Sequence, residues 1–374
     1  MKYVRSVKIE WFRGIKEGFI KGFEDFTIII GRNGAGKSSI LEALYLVSAW
    51  LEPNDSIRKL RKYDYLIKRR GGRGDWRNAR STLWYSMDTE KDITISLDLG
   101  GLRTDFVLNY DIGGLWLRIE GLTQELASHL SRPEIATYTL LRLSNGSSVY
   151  LARKSFTTIM ELPFKHQIIN WLKTHYPILI DVSKNVLLID NYLSSRPDLV
   201  ENYAWVKVLT KRLDKEIIRI VREEFEVDAE GLTYGPIGNS NVLMLQLGNT
   251  SVRIDDLGDG ARLAILIMLA LYASKPKLLL IEEPETKMHP KGMKVLTEAI
   301  LKVSKDLGMQ VVATTHSIEF VKISFEIARN LGLNTSLIHI ERDENGRIIT
   351  RRLSKPDLEL LSDLGIDPRF LDLF

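Results

Sequence analysis

The apolar residues of this chain change their spacing from one region to the next. Val4-Arg5-Ser6-Val7-Lys8-Ile9 is rich in β-branched residues, and Phe26-Thr27-Ile28-Ile29-Ile30 is an unbroken apolar run that stops at Gly31. A short run bounded by glycine suits a strand covered on both faces in a parallel sheet. From Ser38 to Leu51 the spacing turns helical, with Ile40, Leu41, Leu44, Leu46 and Val47 recurring on one side. Over 82–155 the pattern alternates as in antiparallel strands: Ile93–Leu97, Phe106–Leu108 and Leu115–Ile119, with Gly113-Gly114 and Asn145-Gly146 as turn signals. Residues 156–230 read as mostly helical, with Trp205, Leu209, Leu213, Ile217, Val221 and Phe225 sharing a face. Short strands are predicted near 232–236, 242–247 and 251–254. A helix from about Asp259 to Tyr272, the strand Leu278–Ile281, a helix after Pro290 and the strand Gln310–Thr314 then alternate. Ser317 is placed to cap the helix that follows. Residues 335–352 read as a hairpin turning at Asn345-Gly346, and no heptads persist long enough for a coiled-coil arm.

This order predicts an α/β chain in three regions: an amino-terminal lobe with an antiparallel β part (1–155), a helical insertion (156–230) and a carboxyl-terminal α/β lobe (231–374). The 374 residues, 44% of them apolar, suffice for a large core. The absence of cysteine excludes disulfides and thiolate metal sites. A net charge of +4 is mildly basic and does not by itself demand nucleic acid. The longest apolar run, Leu263–Ala273, is too short for a bilayer core of ~30 Å, and MKYVRSVKIEW lacks a signal-peptide core. A cytoplasmic protein with no membrane partner is expected.

The sharpest chemical signal is Gly31-Arg32-Asn33-Gly34-Ala35-Gly36-Lys37-Ser38, a full G-x-x-x-x-G-K-[ST] match between a predicted strand and a predicted helix. The glycines let successive backbone N–H groups turn toward an anion, and the helix N-terminus adds its dipole. Lys37 is expected to reach the β- and γ-phosphates, and Ser38 to offer its hydroxyl to Mg²⁺. A nucleotide-hydrolysing site also needs carboxylates. Leu278–Ile281 delivers Glu282 and Glu283 at a strand's end, Glu282 to hold Mg²⁺ through its water shell and Glu283 to orient and deprotonate the attacking water. His316 ends the next strand, where it is expected to hydrogen-bond the γ-phosphate. From Arg58 to Arg80 there are ten basic and two acidic residues around Gly71-Gly72-Arg73-Gly74, which reads as a surface excursion with a mobile loop. Three roles stay open for it: contact with double-stranded DNA phosphates, donation of an arginine such as Arg73 or Arg80 to nucleotide, or a plain solvated loop.

Taken together, Trp11-Phe12-Arg13-Gly14-Ile15, Gly31–Ser39, Ile40-Leu41-Glu42-Ala43-Leu44 and Ile281-Glu282-Glu283-Pro284-Glu285 running on to His289-Pro290 resemble the ATP-binding-cassette ATPases, in the branch of the SMC, RecF and OLD proteins. The resemblance covers about 1–50 and 250–340 well and the middle only in layout. It implies a P-loop ATPase head with ATP and Mg²⁺ as ligands, and nucleotide contacts that extend to Ser39 and Arg13. It also implies a head-to-tail homodimer with two ATPs at its interface, in which the signature loop, here Leu257-Gly258-Asp259-Gly260, meets the γ-phosphate held by the other copy through Gly258 and Gly260. Gly258 stands where the family carries a serine, Asp255, Asp256 and Asp259 bring carboxylates near that phosphate, and Glu282 replaces the aspartate of many relatives. For the family's glutamine loop, Gln124, Gln167 and the Asp190-Asn191 pair are equal candidates. Relatives of this branch act on DNA or gate a nuclease or toxin. With 58 residues after His316, any cleavage is expected from a separate effector. The implied function is a DNA-maintenance or anti-phage and anti-plasmid defence ATPase; the alternatives are a transporter's energising subunit and a non-hydrolysing scaffold.

Overall fold

The computed structural model describes residues 2–154, 156–225, 228–238, 240–286, 288–354 and 357. Its backbone is organised by one long mixed sheet. Five strands at one end run parallel to each other, in the order Thr335–Arg342, Phe26–Ile30, Gln310–Thr314, Leu278–Glu282, Val186–Ile189. The rest, from Arg347–Leu353 through Ile15–Lys21 and Ser6–Phe12 to Ile93–Leu99, Leu102–Leu108 and beyond, is mostly antiparallel.

The unbroken apolar runs follow from cover on both faces. Along Phe26–Ile30, Ile29 belongs to one core, while Phe26, Ile28 and Ile30 belong to the other. Leu278 and Leu280 alternate with Leu279 and Ile281 in the same way. The first core holds the helix Lys37–Val47, and the second holds Asp259–Ser274, Pro290–Leu307 and Ile318–Asn330. Nine residues of Asp259–Ser274 are buried; at roughly 1.5–3 kcal/mol for each large apolar side chain, its fixed position rests on packing.

The expected alternation of strands and helices after residue 259 is present, including the Ser317 cap on the Phe320 amide and the hairpin Thr335–Arg342/Arg347–Leu353. The region 156–230 is mostly helical, as expected, with two short strands that its pattern did not announce. It contains the helices Lys165–His175, Pro177–Lys184, Pro197–Thr210 and Asp214–Phe225, but also the strands Ile159–Leu162 and Val186–Ile189. Val186-Leu-Leu-Ile is too short for its periodicity to separate helix from strand; pairing with Leu278–Ile281 decides it. The predicted single helical face is broken at Arg212, whose φ of 54° is left-handed backbone, although Ile217 and Val221 are buried as expected. The side chains of Leu209 and Phe225 lie outside the described residues.

The basic stretch is the larger correction. Residues 58–69 do not form a solvated excursion, whereas 71–74 are exposed. Lys62–Lys68 is a helix with Tyr65, Leu66 and Ile67 in the core, and Arg58 and Lys62 are 2% and 3% exposed. The cations go inward because acids wait there: Arg58 bonds Asp55 at 2.8 Å and Asp190 at 3.0 Å. Lys59, Arg61, Lys68, Arg70, Arg73 and Arg77 stay exposed.

Candidate nucleotide site

Gly31 ends its strand with φ 147°, and a Cβ there would sit 2.2 Å from the Ile340 carbonyl oxygen, so no side chain fits. Gly34 and Gly36 also have positive φ, at 79° and 106°. Gly36 caps the helix Lys37–Val47 without a side-chain acceptor, and no acid lies in the first turn. The leading amides of this helix are thereby left for an external anion. Lys37 is buried under the loop, its Nζ donating to the carbonyls of Gly31 at 2.8 Å and Arg32 at 3.0 Å. Burial lowers its pKa to about 8, against the pull of Glu283, Glu282 and Glu285. Arg32, Asn33 and Gly34 face solvent and Ser38 is half-buried. Ser39 Oγ accepts from Arg70 Nη2 at 3.2 Å.

The carboxylates arrive on the parallel strands beside the loop. Glu282 pairs in register with Thr314. Glu283 then turns the chain with φ 48°, a left-handed conformation that is rare for a non-glycine residue, and its N–H donates to the Thr314 carbonyl at 2.9 Å. The turn brings Glu283 Oε1 to 3.3 Å from His316 Nε2. Glu285, quoted in the motif without a role, fixes this corner: Oε1 accepts from the Thr315 hydroxyl and from the His316 N–H at 3.2 Å. Burial raises its pKa.

Behind these groups lies a charge network that sequence reading missed. Glu42, fully buried on the phosphate-loop helix, accepts from Arg13 Nε at 2.9 Å, Arg69 Nη1 at 2.9 Å and Arg70 Nε at 2.8 Å. Arg69 also contacts Glu282 Oε2 and lies 3.3 Å from Asp190 Oδ2. Arg13, expected among the nucleotide contacts, braces Glu42, and its other nitrogens donate to the Thr82 and Leu66 carbonyls. From the basic stretch the arginines that reach the loop's helix are Arg69 and Arg70, whereas Arg80 lies 4.3 Å over the Tyr110 ring and Arg73 faces solvent. The available signal was the pairing of so many cations with few local acids, which required acids from elsewhere in the chain.

Of the three candidates for a glutamine loop, Asp190-Asn191 follows the strand next to Leu278–Glu282, while Gln124 and Gln167 sit on the helices Leu122–His129 and Lys165–His175. Asn191 lines a cleft of about 340 Å³ with Glu282, Glu283, Asp259 and Arg262. Gly258 caps the helix Asp259–Ser274 at its exposed end. Two of the three carboxylates expected there have partners: Asp259 meets Arg262 at 3.1 Å and Asp256 meets Arg253.

Residues 1–67 and 164–321 match the AAA ATPase domain family, more than half of the chain. The chain belongs to that family. The AAA ATPase domain carries both the phosphate loop and the carboxylate strand, and His316 falls inside it. An ATP/GTP phosphatase of Helicobacter pylori is 24% identical over 357 residues, 91% of this chain and 93% of its own length. The DNA replication and repair protein RecF of Coxiella burnetii is 42% identical over 48 residues, 13% of each chain. A crystal structure of the Smc head bound to the C-winged-helix domain of ScpA superposes with a TM-score of 0.53 at 13% identity, covering 95% of this chain and 99% of that one. The chain thus carries an AAA ATPase domain and has the fold of an SMC head. Among the described residues no helix is long and apolar enough to cross a membrane.

Proposed function

We propose that the chain binds ATP in Gly31–Ser39 and hydrolyses it with Glu283 as the base, as a dimeric switch that acts on DNA or on a partner effector. The observation that carries this reading is the 3.3 Å approach of Glu283 to His316 at the ends of neighbouring parallel strands beside the loop. The loop amides and Lys37 bind the phosphates. Glu283 takes the proton of the attacking water, and His316 holds Glu283 in place and reaches the γ-phosphate. The Ser38 hydroxyl and the Glu282 carboxylate are hard oxygen donors that suit Mg²⁺. Bound Mg²⁺ would neutralise charge on the transferring phosphoryl group. In the dimer, Gly258 and Gly260 of one copy approach the triphosphate of the other, with Asp256 and Asp259 offset by Arg253 and Arg262. Among the exposed cations of the basic stretch, Lys68, Arg73 and Arg77 are those offered to DNA phosphates.

The test is ATP turnover with and without double-stranded DNA, with mass measured by light scattering. Glu283→Gln is expected to lower turnover ~10²–10⁴-fold while retaining ATP and accumulating dimers. Lys37→Ala is expected to abolish nucleotide binding. Unchanged turnover in both variants refutes the catalytic assignment, and a Glu283→Gln chain that stays monomeric with ATP refutes the dimer. DNA stimulation that survives charge reversal at Lys68, Arg73 and Arg77 removes that surface.

A further inference from the structure

Arg69 ends the helix Lys62–Lys68, where its N–H still donates to the Tyr65 carbonyl. From this anchor one guanidinium meets three carboxylates carried by three different elements. These are Glu42 of the phosphate-loop helix at 2.9 Å, Asp190 after the strand Val186–Ile189 at 3.3 Å, and Glu282 at the end of the carboxylate strand. The Arg69 side chain is 7% exposed and that of Glu282 12%, so water does little to screen the contact. A guanidinium stays cationic throughout the accessible pH range, so Arg69 carries its charge here. The other nearby cations are committed elsewhere, Lys37 to loop carbonyls and Arg70 to Glu42 and Ser39. Among the described residues, Arg69 is the cation paired with Glu282.

We propose that Arg69 is a positioning residue that stands in for the metal on Glu282, so that divalent cation is held only once a triphosphate is present. The inference rests on the reading of Glu282 as the metal carboxylate. A guanidinium on Oε2 neutralises that carboxylate and repels a dication approaching it. The negative charge of a bound triphosphate reverses the balance. Arg69 also joins Glu282 to Glu42, so a shift of the metal carboxylate is felt directly by the helix that holds the phosphates.

The probe is Mn²⁺ alone, titrated into nucleotide-free full-length protein and followed by electron paramagnetic resonance, with circular dichroism and melting as folding controls. Arg69→Gln is expected to bind Mn²⁺ at least about tenfold more tightly than wild type. Arg69→Lys, whose ammonium lacks the three-way fork, is expected to fall between the two, and it carries the test if Arg69→Gln does not fold. The gain should vanish in the double variant with Glu282→Gln. A folded variant at wild-type Mn²⁺ affinity overturns the stand-in role and leaves Glu282 as metal carboxylate. A gain that survives Glu282→Gln overturns both.

Discussion

Glu42→Gln is the substitution that most directly tests whether the buried arginine network around Glu42 is structural. The change is isosteric, so it removes charge without opening a cavity. In the native chain one carboxylate with 0% exposure faces three guanidinium groups at 2.8–2.9 Å. Glutamine offers one acceptor and turns an NH₂ toward the remaining donors. The three arginines then fare differently. Arg70 is 42% exposed at its side chain and relaxes into water. Arg69 keeps Asp190 and Glu282. Arg13 is left at 7% exposure with only the Thr82 and Leu66 carbonyls, and burial already lowers its pKa. Breaking a buried pair from one side costs about 3–5 kcal/mol, because the surviving charge keeps its desolvation penalty. At roughly 2–4 °C of Tm per kcal/mol for a large domain, the expected loss is about 6–20 °C. Calorimetry or fluorescence-detected melting at fixed pH and salt measures it. The double variant Arg13→Met/Glu42→Gln should recover part of the loss, since the stranded cation is gone. A Glu42→Gln chain melting within about 2 °C of wild type would refute the reasoning.

Two further outcomes are expected. Because Lys37 titrates at about 8 before nucleotide arrives, while a bound phosphate needs it charged, affinity for a fluorescent ATP analogue should be flat below pH 8 and weaken by up to about tenfold per unit above it. The same depressed pKa disfavours the fold below pH 8 and is relieved as pH rises toward the ordinary value of 10.5, so this lysine's own contribution to stability has the opposite slope; affinity unchanged between pH 8 and 9.5 would contradict the assignment. Gly31→Ala, with its Cβ 2.2 Å from the Ile340 oxygen, should lower Tm far more than Gly34→Ala, which has nothing within 4 Å and carries only a left-handed strain of ~1–2 kcal/mol; equal melting of the two would show that the loop does not need this close approach.

The parts of the protein that could be read from residue order alone are those in which chemistry is local. Gly31–Ser38 needs only its own glycines, lysine and flanking strand and helix, and it appears where the pattern put it. The carboxylate strand and the strand before His316 announced themselves because cover on both faces writes an apolar run, and the final hairpin did so through its Asn345-Gly346 turn. What tertiary structure alone decided concerns pairing across long separations. Val186–Ile189 becomes a strand because Leu278–Ile281 supplies its hydrogen-bonding edge. Arg58 and Arg69 go inward because Asp190 and Glu282, 121 or more residues away, are carried to them by the sheet. A charge in a sequence states what it carries, whereas its burial depends on which opposite charge the fold brings within about 3 Å, and no local spacing encodes that distance.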